Sequence, residues 1–282
     1  MTRGAHPNTF LPPSGSRHFI GEHTGGLLRY RFANLIRQDG LEHGIFSRLG
    51  GGSRPPYDSL NLAYRVGDRP EAVAENRRRL QLAMGKGRLV FLRQVHGARV
   101  VTATDRFAGD PGDARGDLPA EEGDALITDI PGLWLSILVA DCQAVLLWDP
   151  VRRAAANIHA GWRGSIANIV GAAVEAMGQR FGTNPRHLLA AIGPSLGTCC
   201  AEFVNYRTEI PTDLWSYMGR DCRYDFWRMT RDQLAALGVE RDNILTSGVC
   251  TRCSTDLFFS YRGEATTGRF AAVIGITDTD SG

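Results

Sequence analysis

Leu133-Trp134-Leu135-Ser136-Ile137-Leu138-Val139 runs directly into Ala140-Asp141-Cys142, so an apolar stretch ends on an acid and a thiol. A strand wet on one face alternates apolar with polar residues; this one does not, and it is far too short to cross a bilayer. It reads as a central strand covered on both faces. Working outward, a strand at 124–128 precedes it across a Pro131-Gly132 turn, and one at 145–148 follows. A further strand at 154–158 leads through His159-Ala160-Gly161-Trp162-Arg163-Gly164 into a helix whose apolar stripe is Ile166, Ile169, Val170, Ala173, Val174, Met177 and Phe181. The pattern predicts strands sandwiched between layers. Asp141 is costly in such a place without a partner.

Around this centre, strands are expected at 27–32, 41–46, 89–92, 99–103, 188–192, 244–249 and 271–276, and helices at 70–84 and 226–237. The stretch 107–123, full of Gly, Asp and Pro, is a long loop. Residues 257–262 read as core with a polar edge.

Composition narrows the partners. With 282 residues, 43% of them hydrophobic, the chain has enough for a large core in one domain or two. The 32 basic and 30 acidic residues nearly cancel without a long basic run, which removes the footprint of a nucleic-acid binder and favours a small molecule. Lys86 is the one lysine, and Met84-Gly85-Lys86-Gly87 lacks the earlier glycine that a phosphate-cradling loop requires. Residues 1–20 are polar and rich in Pro, Gly and Ser, which predicts a disordered tail and neither a signal peptide nor a membrane anchor. Six cysteines without secretion signals argue for reduced thiols and a cytoplasmic protein.

Cys142 and His159 stand 17 residues apart, a separation that a strand, a turn and the next strand can close. Gln94-Val95-His96-Gly97 places another histidine at a strand end. Singly, Cys142 reads as a small buried residue and either histidine as a hydrogen-bonded structural one. Together, one Cys and two His with an open position have the composition of a catalytic zinc site, where bound water is acidified to a pKa of about 7. Asp141 and Asp124 are candidate acids, bases or supporting carboxylates; Arg163, and Arg48 at the mouth of Gly50-Gly51-Gly52, are candidate anion clamps. Two other chemistries use the same residues. A metal-free pair, with His159 drawing the proton from Cys142, suits a hydrolase or deamidase, and His2Cys is also a copper ligand set. Conventional copper oxidase chemistry needs a further imidazole cluster, and of the five other histidines His6, His18 and His23 lie in or near the tail. Cys250-Thr251-Arg252-Cys253 has metal or redox spacing but stands as one pair, while Cys199-Cys200 and Cys222 read as structural.

These motifs, with Ile192-Gly193-Pro194-Ser195 and Phe258-Phe259-Ser260-Tyr261-Arg262, follow the order seen in the laccase-domain family, which the chain resembles from about 44 to 275. Its members have been called multicopper polyphenol oxidases, purine nucleoside phosphorylases and peptidoglycan editing factors. The resemblance implies an α/β (α+β) fold: a single domain, 21–282 here, of mixed sheets in a four-layer α/β/β/α arrangement, related to toxin deamidases that use Cys and His. It implies zinc on His96, Cys142 and His159, and phosphorolysis of adenosine, inosine, guanosine and methylthioadenosine, with adenosine deamination. The chain departs from the family at Ala144, Ala201 and Gly263, none of them a proposed ligand. A peptidoglycan-precursor amidase, a metal-free Cys/His hydrolase, a copper polyphenol oxidase and a non-enzymatic metal-binding protein are the alternatives.

Overall fold

The computed structural model describes residues 9–10, 16–104 and 121–277. Its strands are β1 (Thr9–Phe10), β2 (Phe19–Thr24), β3 (Leu27–Phe32), β4 (Leu41–Phe46), β5 (Arg88–Phe91), β6 (Val100–Thr102), β7 (Ala125–Thr128), β8 (Leu133–Val139), β9 (Gln143–Asp149), β10 (Ala154–Ala160), β11 (Leu189–Ile192), β12 (Ile244–Thr246) and β13 (Phe270–Ile276). They form two mixed sheets, in the orders β1-β2-β3-β4-β13-β8-β5 and β12-β11-β9-β10-β7-β6. The helices are α1 (Ala33–Ile36), α2 (Pro70–Met84), α3 (Trp162–Ile166), α4 (Ile169–Phe181), α5 (Tyr206–Glu209), α6 (Phe226–Ala236) and α7 (Tyr261–Glu264).

Alternation along the strands shows how the layers stack. In β13, Phe270, Ala272, Ile274 and Ile276 join Leu135, Ile137 and Tyr30 in a core shared with Leu146, Trp148 and Ala155 of the second sheet. Ala271 and Val273 face the other way, onto Leu80 and Met84 of α2. The second sheet likewise turns Ile127, Val145, Leu147, Ala156 and Ile158 onto Ile169, Val170, Val174 and Met177 of α4 and Leu234 of α6. The order is therefore helix, sheet, sheet, helix, in one domain, as the family resemblance implies. Strands β8, β9 and β10 lie in its two inner layers, which accounts for their nearly unbroken apolar sequences. Asn157 ties the sheets together: its side-chain amide donates to the carbonyls of Leu135 and Ala272 across the interface, at 2.8 Å each.

One expectation changes. The single helix expected after Gly164 is broken into α3 and α4, because Asn168 adopts a left-handed φ of 55° and its side chain accepts from the Gly171 N–H to start a new helix. Within the range 1–20 expected as a tail, Thr9–Phe10 pairs with β2, which opens at the buried Phe19. Residues 1–8 and 11–15, and most of the loop expected at 107–123, lie outside the described residues. No helix among the described residues is long and apolar enough to cross a membrane.

Candidate metal centre

Strands β9 and β10 run antiparallel with His159 opposite Ala144 and Ala160 opposite Gln143, so Cys142, one residue before β9, arrives beside His159. His159 shares the face of β10 that carries Ala155 and Asn157 and looks toward the other sheet. His96 reaches the same point from beyond β5. There Gln94 extends the pairing with β8: its amide donates to the Leu138 carbonyl at 2.8 Å, and its oxygen accepts the Leu138 N–H at 2.9 Å. The ligand atoms of His96, Cys142 and His159 all lie within 4.8 Å of one another, and the two imidazoles meet edge to face with centroids 4.7 Å apart.

Asp124 holds the triangle from behind. Fully buried, it accepts the backbone N–H groups of His96 (2.8 Å) and Gly97 (2.7 Å) and contacts His159 Nδ1 at 2.8 Å. The first two bonds fix His96 in a left-handed φ of 61°, the kind of strained backbone that clusters at functional sites. The third occupies His159 Nδ1 and leaves Nε2 for the ligand point. Burial alone pushes the Asp124 carboxyl up, but the bonds from His159, Gly97 and His96 outweigh it and hold it below the usual value. Burial likewise pushes the Cys142 thiol up; the charge and hydrogen bonds of His159 and His96 bring it down to about 6. His159 is depressed by burial yet raised to about 9 by Cys142 and Asp124. Gly161 lets the ligands close in: a Cβ there would stand 3.0 Å from His96 Cδ2 and 3.2 Å from Cys142 Sγ, so both side chains would have to give.

The remaining candidates separate. Asp141, at a φ of 85°, lies beside Cys142, and its carboxylate is saturated by Thr251 Oγ1 (2.6 Å), Ser260 Oγ (2.7 Å) and the Arg262 N–H (2.6 Å). These bonds meet the cost that burial imposes and make it an anchor for two loops. Arg48 is buried, donating to the carbonyls of Asp58 and Thr255 and pairing with Glu264 at 2.7 Å over the ring of Phe259, while its Nη2 has only Asp58 Oδ1 at 3.5 Å. Arg163 is exposed two residues after Gly161 and stacks on Trp162 at 4.1 Å. The sequence reading misses Arg269. It is half-buried within the electrostatic reach of Cys142, Asp141 and Tyr261, and burial outweighs their pull to lower its pKa. Lying just before β13, it carries no local motif that would single it out.

Against known proteins, residues 42–277 match the family model described as multi-copper polyphenol oxidoreductase laccase. The chain belongs to that family. It is 38% identical to purine nucleoside phosphorylase SCO2081 of Streptomyces coelicolor, over 84% of this chain and 96% of that protein, and 35% identical to purine nucleoside phosphorylase YfiH of Escherichia coli, over 81% and 90%. Among solved structures it is similar to YlmD from Geobacillus stearothermophilus, with a TM-score of 0.79 and 32% identity over 90% of this chain and 97% of that one. Members of this laccase-domain family thus carry both oxidase and phosphorylase names. One thiol of lowered pKa, one imidazole oriented by a buried carboxylate and a second, exposed imidazole form a donor set that could hold a metal ion.

Proposed function

We propose that the chain is a zinc-dependent purine nucleoside phosphorylase that also deaminates adenosine. The observation that carries this reading is the His96–Cys142–His159 triangle, closed behind by Asp124 and open at the exposed His96. The names of its relatives supply the substrate class. When bound, zinc supplies Lewis acidity and a means of generating a nucleophile from water at neutral pH. The chain's own residues do the positioning. Asp124 keeps the His159 proton on Nδ1 and the Nε2 lone pair toward the ligand point, and Asp141 holds the loops of Thr251 and Ser260 against the Cys142 turn. Arg163 and Arg269 are the cations assigned to phosphate, Arg269 because the charges of Cys142 and Asp141 both act on it.

The experiment measures metal content and products from adenosine with and without phosphate, for wild type and Cys142→Ala. Phosphate-dependent release of adenine and phosphate-independent formation of inosine are expected from wild type alone. Equal activity in Cys142→Ala sinks the site assignment, and trimming of a muropeptide without action on nucleosides favours the amidase. A second reading has its own support: the opposed shifts of Cys142 and His159 also suit a thiolate–imidazolium nucleophile pair. Full activity after exhaustive chelation, with inactivation by a thiol alkylator, would establish it.

A further inference from the structure

Cys250 and Cys253 are one half of a larger group. Strands β11 and β12 pair in parallel, and their ladder continues past the strand ends: Ser195 N–H donates to Val249 O and Thr251 N–H to Ser195 O, at 3.2 and 3.1 Å. The turn after β11, with Cys199 and Cys200, and the turn after β12, with Cys250 and Cys253, are therefore delivered side by side. All four sulfurs lie within 4.8 Å of one another, with Cys253 Sγ 3.5 Å from both Cys199 Sγ and Cys200 Sγ.

From this geometry we infer a second metal site, a tetrahedral zinc held by Cys199, Cys200, Cys250 and Cys253, separate from the His96–Cys142–His159 triangle. Zinc–sulfur bonds of about 2.3 Å put tetrahedral sulfurs about 3.8 Å apart, within the observed spread. A multi-iron cluster needs its ligand sulfurs spaced more widely around a cage. A disulfide needs sulfurs about 2.05 Å apart, and all four thiols are free. Backbone groups are arranged as for a thiolate: the N–H of Gly197, at 3.3 Å, and that of Cys253 both donate to Cys250 Sγ. A Cβ at Gly197 would stand 2.8 Å from Trp227 Cη2 and 3.1 Å from the Cys250 Cβ, so the glycine lets its turn close against both Trp227 and the Cys250 turn. With no fourth side missing, the site is structural. Thr251, between two of the ligands, donates to Asp141, so the metal staples both loops to the turn that presents Cys142.

The test is zinc stoichiometry on the full chain by native mass spectrometry and elemental analysis. Cys142→Ala is expected to keep one zinc, and Cys250→Ser combined with Cys253→Ser to lose one equivalent relative to wild type. If the triangle holds no metal, wild type carries one zinc that Cys142→Ala retains, so failure of the proposed function is told apart from failure of this site. Zinc unchanged by the double substitution, or an intact mass lighter by two hydrogens that marks a disulfide, overturns the inference. Should the double variant not fold, cobalt(II) added to metal-stripped Cys142→Ala reads the site directly. Intense thiolate-to-cobalt charge transfer with tetrahedral d–d bands is expected; a weak octahedral spectrum refutes it.

Discussion

Asp124 makes three hydrogen bonds that only a carboxylate can accept together, from the His96 and Gly97 backbones and from His159 Nδ1. An amide has one acceptor oxygen and turns its NH2 toward a donor that was formerly bound. Asp124→Asn is therefore expected to weaken metal binding or activity by roughly 10–100-fold, the usual effect of losing a carboxylate behind a ligating histidine. A metal titration of the purified variant checks this; an unchanged affinity would remove Asp124 from the positioning role. At this scale the sequence is legible where partners are local. Cys142 and His159 meet because adjacent antiparallel strands bring them together, and their spacing announces it. Arg48 looks free in sequence because two of its partners, Thr255 and Glu264, lie 207 and 216 residues along the chain. The four-cysteine group is half legible for the same reason: Cys250-x-x-Cys253 is visible, whereas Cys199-Cys200 joins it only through the parallel pairing of β11 with β12.

Among elements, the α3–α4 break shows what periodicity leaves out. The apolar stripe from Ile166 to Phe181 continues across Asn168, so it predicts one helix, but a side chain that tolerates the left-handed region and caps the next turn divides it in two. The division matters to the site, because α3 begins right after Gly161, and Gly164 packs so closely that an added Cβ stands 2.8 Å from the Gly97 carbonyl oxygen. A continuous helix would carry that contact elsewhere. Asn168→Ala loses the cap, worth about 1 kcal/mol, and removes the short polar side chain that makes the left-handed region tolerable for asparagine, at a further ~1 kcal/mol. Asn168→Gly keeps the conformation and is expected to cost only a few tenths. Urea denaturation of both variants decides: equal midpoints would show that the break does not depend on the conformation of residue 168.

For the whole molecule, the apolar runs of β8, β9 and β10 announce layers on both sides, but which strand joins which sheet cannot be read from them, since β8 and β9 are consecutive yet lie in different sheets. The space between the sheets admits polar groups only where they are paired, and His43 on β4 tests how strictly. It is fully buried, and its Nε2 accepts the Phe32 N–H at 2.9 Å, which requires a neutral ring. Burial, reinforced by the charges of Arg31 and Arg29, holds its pKa well below the ordinary 6.5. Because the folded pKa is depressed, the unfolded chain takes up a proton as pH falls through about 6.5 while the folded chain does not. Stability is thus unaffected by this group above that pH and falls below it, at a limiting slope of about 1.4 kcal/mol per pH unit. In His43→Gln an amide oxygen can accept the same N–H without titrating, so that contribution to the slope disappears. Unfolding free energies at pH 7.5 and 5.5 are expected to show wild type losing more than the variant on acidification. Parallel losses would mean that His43 is protonated in the folded state, and that the interface between the sheets is wetter than its packing indicates.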